Sequence, residues 1–297
     1  MNFIAFLLGL GLERALSDQL QLREPRWLAV YVASAVRHST RAGPLALIVA
    51  LSYALLPGVL LALAASRVQV RSHGMVELLL GAVVLFFALG PRDLRQEVRD
   101  YQAATARNDA AAAERIGAEI LEQDSCQRHG PPLANVAEAV FVQANNRLFG
   151  VLFWFALLGP CGALAFRLSD LMRREALARA AEADAPQAAR NTAELCQRVH
   201  GVLAFLPARL LALSYGIAGS FEESFTGWRG YLAAESDHFF DANDRLLLHA
   251  GRGALGGRWE TSRDEAERVA VAVALTESAF YVWLAGFALL TLLAWVA

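Results

Sequence analysis

Lysine is absent. All 27 basic residues of this 297-residue chain are arginine. That absence excludes a phosphate-cradling P-loop lysine, a Schiff-base lysine and a kinase-type lysine. Cysteine is scarce: Cys126, Cys161 and Cys196 lie far apart and match no C-x-x-C spacing, so a disulfide framework or a zinc knuckle is not expected. Charge of one sign is lacking too. The 27 basic residues face 29 acidic ones, which leaves no basic face for nucleic acid. No H-E-x-x-H pair, no G-x-S-x-G elbow and no sustained period-two alternation occurs, so soluble-hydrolase chemistry and a sheet have no foothold. What is plentiful is apolar surface. Hydrophobic residues make up 56% of the chain, against roughly 45–50% in a soluble domain. The composition is that of a membrane protein.

A hydrocarbon core about 30 Å thick needs about 20 apolar residues in a helix. Residues 44–65, 148–166 and 279–297 are uncharged runs of that kind, and Met75–Leu89 is a shorter one. These give four firm spans. Residues 3–12 and 201–219 raise the count to as many as six; the latter carries Pro207 and Arg209 near its centre. The run 3–12 has no basic n-region and no small-residue cleavage site, so it does not read as a removable signal peptide. The nine-residue link 66–74 predicts an antiparallel hairpin between 44–65 and Met75–Leu89.

The polar segments also read as helices. Residues 93–125 are rich in Ala, Glu, Arg and Leu, with Asn108-Asp109 as a break and cap. Pro131-Pro132 is expected to open a helix over 134–145. The fold class is all-α: a polytopic helical bundle forming one membrane domain over 1–297, with polar helical segments at 91–147, 167–200 and 220–276. The positive-inside rule puts 17–43 and 91–147 in the cytoplasm, while the six arginines of 167–200 conflict with a single crossing by 148–166.

Several residues are candidates for ligand binding. Glu13 and Arg14 end the first apolar run, as a charged pair facing a cavity or as a helix end among headgroups. Arg147 and Arg167 bracket 148–166, where they are expected to snorkel to the two interfaces. They and Asp170 are kept as candidates. Arg209 follows Pro207, whose ring frees a carbonyl one turn earlier; the arginine then binds an anion, meets a carboxylate such as Glu13, or snorkels. Asp237, Asp241 and Asp244 share one helical face and are weak metal candidates, equally readable as a solvated acidic face. Residues 251–257 contain G-x-G-x-x-G without a preceding strand. A glycine-terminated helix end is preferred there over a nucleotide fold. No metal and no specific cofactor follow from the sequence.

Three blocks carry a resemblance. Glu13-Arg14 with its apolar run, residues 144–172 (ANNRLFGVLFWFALLGPCGALAFRLSDLM) and residues 205–219 (FLPARLLALSYGIAG) look like the AmpE family of bacterial inner-membrane proteins, as does the A-R-N-D stretch within 101–121. That resemblance implies a multi-pass inner-membrane protein with a regulatory or ligand-sensing role in β-lactamase induction and cell-wall recycling. It also implies a functional link to the AmpD amidase. The same blocks are more distantly similar to the CobD/CbiB membrane enzymes of cobalamin assembly. That family has A-E-N-x-x-D-G where this chain reads VQANNRLFG (142–150), and N-T-L-D where it reads LSDLM after Arg167; Asp170 alone keeps a comparable place. The alternative function is therefore a membrane transferase or ligase on that scaffold, with an unknown substrate. The departures predict no cobinamide-forming activity and no metal held jointly by the three aspartates.

Overall fold

The structure, a computed structural model, describes residues 26–69, 75–89, 94–121, 135–233 and 242–296. These form twelve α-helices: α1 Arg26–Arg41, α2 Ala46–Gln69, α3 Met75–Leu89, α4 Leu94–Ala106, α5 Ala110–Leu121, α6 Val136–Ala144, α7 Gly150–Ala181, α8 Gln187–Ala218, α9 Phe221–Ala233, α10 Ala242–Leu255, α11 Gly257–Thr261 and α12 Glu265–Val296. No strand occurs among the described residues. Among the described residues, four helical stretches are long and apolar enough to cross a membrane: Gly43–Leu60, Val136–Ala181, Gln187–Ala218 and Glu265–Leu293. Outward-facing Leu47, Ile48, Leu55 and Val59 on α2, and Leu292 and Leu293 on α12, are exposed, as lipid-facing residues are. The protein is a multi-pass, all-α membrane protein.

Three of the four expected spans fall in these stretches, and 201–219 is the end of the spanning helix α8. Met75–Leu89 is a 15-residue helix, shorter than a membrane crossing requires. It does pack against α2 and α7. The run 3–12 and the link 70–74 lie outside the described residues.

The chain divides into two compact units. The first is Met1–Asp93 with Gly150–Leu203, and the second is Leu94–Phe149 with Ala204–Ala297. In the first, α1, α2, α7 and the start of α8 enclose an apolar core of Val32, Ala35, Ala50, Ala54, Leu168, Met172, Ala176, Leu177, Ala193 and Cys196. In the second, α6 is the central element, packing on α4, α5, α10 and α12. Every residue of α6 is buried.

Prolines inside the spanning helices explain several side-chain positions. A proline in a helix cannot donate to the carbonyl four residues back, and in lipid that carbonyl needs another donor. Pro57 frees the Tyr53 carbonyl, and the Tyr31 hydroxyl donates to it at 2.7 Å. Pro207 frees the Leu203 carbonyl, and the Trp154 indole N–H donates to it at 3.0 Å. α8 therefore stays one helix through Pro207. α7 does not: Gly159, at φ 65° and ψ −154°, breaks it just before Pro160. The run 148–166, expected as one plain span, thus contains a kink that a glycine–proline pair imposes. Beyond it, Cys161 Sγ donates to the Gly58 carbonyl at 2.9 Å, where a glycine lets α2 and α7 approach closely.

The polar helices behave as the sequence indicates. Asn108 takes φ 54° between α4 and α5, and Asp109 Oδ1 accepts from the Ala112 N–H. The helix expected over 134–145 starts at Val136, capped by the Asn135 side chain on the Glu138 N–H at 3.0 Å. Instead of ending at Asn145 it passes into a π-helical turn, Asn145–Phe149, that leads into α7.

Candidate functional site

In the first unit, Asp170 on α7 is fully buried and collects three guanidiniums. Arg173 donates at 2.7 Å, Arg174 lies at 3.0 Å and Arg167 at 3.4 Å. All four sit within two helical turns of each other, so the helix itself supplies the i, i+3 and i, i+4 spacing. His200 of α8 closes the group, 3.9 Å from the carboxylate, with Nδ1 3.0 Å from Ser169 Oγ and its ring on Phe166. Arg167 is thus not a snorkelling residue. It is buried, because the carboxylate one turn on offers a better partner than the interface.

In the second unit the polar residues gather on α6 and its π turn. Arg147 is buried and donates to Glu97 of α4 at 2.6 Å and to Gln143 at 3.1 Å. It too is paired inside the protein rather than extended to the membrane surface. One turn of wider winding places Asn145 and Asn146 among buried residues as well. Asn145 is 1% exposed, and neither atom of its amide has a hydrogen-bond partner among the described residues. π turns inside α-helices often mark functional sites, and a native buried polar group left unpaired requires an explanation. Two turns earlier, Glu138 pairs with Arg252 of α10, whose guanidinium also lies 5.3 Å from the Trp259 ring centre. Burial, and secondly the Arg268 charge, lower the pKa of Arg252 from its ordinary value.

Arg209 is half-buried on α8. Its Nη1 donates to the Phe205 carbonyl at 2.8 Å and to Asn243 Oδ1 at 3.0 Å, and its guanidinium lies 3.3 Å over the Phe205 ring. Glu13, the expected partner, lies outside the described residues together with Arg14. So do Asp237 and Asp241, while Asp244 occupies the first turn of α10. Among the described residues no group of three His, Cys, Asp or Glu is placed to hold a metal. The glycine motif resolves into packing. Gly251 and Gly253 are inside α10, where a side chain would meet the Phe141 ring at 2.8 Å and the α9 backbone. Gly256, at φ 50°, ends the helix as expected.

The groups that sequence reading missed are Glu97, Glu138, Gln143, Asn145, His200, Arg252 and Arg268. Glu138 and Asn145 carried a signal: both interrupt an otherwise apolar helix, which membrane proteins rarely do without a use. Glu97 and Arg268 sit on ordinary polar stretches that nothing marks.

The model of the CobD/Cbib protein family matches residues 6–269. The chain belongs to the CobD/CbiB family. It is 29% identical over 189 residues to the cobalamin biosynthesis protein CobD of Chromobacterium violaceum, covering 61% of this chain and 55% of that one. It is 29% identical over 180 residues to the CobD of Stutzerimonas stutzeri, covering 59% and 54%. The chain thus spans about half the length of the curated relatives it matches. No solved structure matches it. The distant similarity of the sequence blocks is thereby the family itself; the nearer-looking assignment to AmpE does not come out of these comparisons.

Proposed function

We propose that this CobD/CbiB-family protein is a membrane transferase or ligase that takes an anionic, amide- or phosphate-bearing substrate on α6 and its π turn. The observation that carries the reading is Asn145: a buried amide whose donor and acceptor have no partner among the described residues, two turns from the Glu138–Arg252 pair. Transfer and ligation depend on holding two polar reactants in a fixed, water-poor geometry. An unpartnered amide recognises a matching amide or acid, and the arginine counters developing negative charge. The relatives are named for cobalamin biosynthesis, which fits a biosynthetic role on this scaffold better than a regulatory one.

A second reading has an observation of its own. Glu97 and Glu138 are each engaged by an arginine, and the stretch 145–147 presents two asparagines and an arginine. Such a site favours holding an anion over binding a metal-bound phosphate, which is what a ligand-sensing protein of the AmpE kind in the bacterial inner membrane needs. Deleting the gene separates the two. Transfer predicts that a substrate accumulates, that its product disappears, and that the Asn145→Leu variant reproduces both. Changed β-lactamase induction with no metabolite accumulating would sink the transfer reading in favour of the regulatory one. Complementation of a strain lacking its cobalamin CobD protein decides whether the substrate is that of the relatives.

A further inference from the structure

We propose that Arg245, Arg252 and Arg268 form a binding site for a phosphate-type oxyanion on the second unit; it shares Arg252 with the proposed transfer site, whereas Arg245 and Arg268 play no part in that reading. α10 places Arg245, His249 and Arg252 at i, i+4 and i+7, a single row along one face. α10 packs on α6 and on α12, which brings in Glu138 and Arg268. Arg252 pairs with Glu138, whereas among the described residues Arg245 and Arg268 have no acid partner. Of the other acids nearby, Glu265 is turned to the Ala137 N–H at 3.0 Å, the Glu223 carboxylate lies against Gly256 at the end of α10, and Asp244 occupies the first turn of α10.

The Nε atoms of Arg245, Arg252 and Arg268 are all buried and without an acceptor among the described residues. A buried donor on a charged group is costly to leave unmade. Three guanidiniums on two packed helices outnumber the one buried carboxylate beside them, Glu138, whose Oε1 faces Arg252. Burial and then the Arg268 charge lower the Arg252 pKa, and burial and then the Arg245 charge lower that of His249. A tetrahedral oxyanion meets this demand, since it offers several acceptor oxygens to guanidinium forks and relieves the repulsion. α10 lies outside the four membrane-crossing stretches and Arg268 is at the start of one. The phosphate is accordingly either that of a lipid headgroup or that of a soluble molecule.

The test uses the full chain in neutral detergent and in nanodiscs. Inorganic phosphate, compared with chloride at equal ionic strength, should raise the unfolding midpoint and give a titratable binding isotherm. Arg245→Gln and Arg268→Gln should each weaken binding about tenfold, and the double variant about a hundredfold. Arg245→Lys and Arg268→Lys, which keep the charge and the fold but lose the fork, should weaken it by a smaller factor. Arg198→Gln, in an exposed pair with Glu194 on α8, should leave it unchanged. If nanodiscs containing phosphatidylglycerol stabilise the protein over phosphatidylcholine alone and inorganic phosphate does not, the ligand is a headgroup, provided the double variant loses the effect. No stabilisation by either probe overturns the proposal, as does stabilisation that survives both the double Gln and the double Lys variants.

Discussion

Trp154→Phe removes the indole N–H that serves the Leu203 carbonyl, which Pro207 has left without its helical donor. Stranding a buried acceptor costs about 1–3 kcal/mol in water-soluble proteins, and polar interactions inside membrane bundles average nearer 0.6 kcal/mol with a maximum of about 1.7. The hydrogen-bond part of the loss should therefore be about 1 kcal/mol, on top of the loss from a smaller ring. A double-mutant cycle separates the two. In the Pro207→Ala background the backbone N–H of residue 207 returns to Leu203, so Trp154→Phe should lose only its size component there. The coupling between the substitutions should come out at about 1 kcal/mol. Unfolding in mixed micelles titrated with dodecyl sulfate, followed by far-UV circular dichroism, measures all four proteins. A Trp154→Phe cost equal in both backgrounds to within about 0.3 kcal/mol would show that the indole does not serve the carbonyl that proline frees.

Tyr31→Phe should be destabilising by about 1 kcal/mol for the same reason, because its hydroxyl serves the Tyr53 carbonyl freed by Pro57; the Pro57→Ala background should erase that loss. Glu97→Gln leaves the buried Arg147 charge uncompensated and should cost about 3–5 kcal/mol, whereas the Glu97→Leu/Arg147→Met pair should recover most of it in the same micelle unfolding assay. Burial, then Arg245, lower the His249 pKa below its ordinary 6.5. Its unfolded form therefore binds the proton more tightly. The stability it contributes is complete above pH about 6.5 and is lost as pH falls toward its folded value. A midpoint that declines with acidification in the wild type, and less so in His249→Gln, checks this.

Much of the fold was legible because each feature depends on local rules. The runs around 44–65 and 148–166 are apolar over a bilayer's thickness, Asn108-Asp109 is turn chemistry, and Gly256 is the residue type that a positive φ requires. The site was legible only in pieces. Arg147, Arg167 and Asp170 stood out as charges in or beside apolar runs. Their partners did not. Glu97 is separated from Arg147 by 50 residues, and nothing in the sequence of α4 distinguishes Glu97 from Glu119 on the neighbouring helix. The kink at Gly159 was equally hidden, since a glycine–proline pair is compatible with a turn, a break or a continuous helix.

Composition and hydrophobic runs, acting through the cost of burying an unpaired backbone in lipid, were sufficient to determine an all-α, multi-pass membrane protein and to locate most of its long helices. Tertiary structure alone decided which charges pair, that Arg147 and Arg167 turn inward instead of snorkelling, and which side chains supply donors to the carbonyls that Pro57 and Pro207 release. The physical reason is range. Helix formation and membrane insertion respond to neighbours within a few residues, whereas the electrostatic and hydrogen-bond balance of a buried arginine depends on whatever distant helix packs against it.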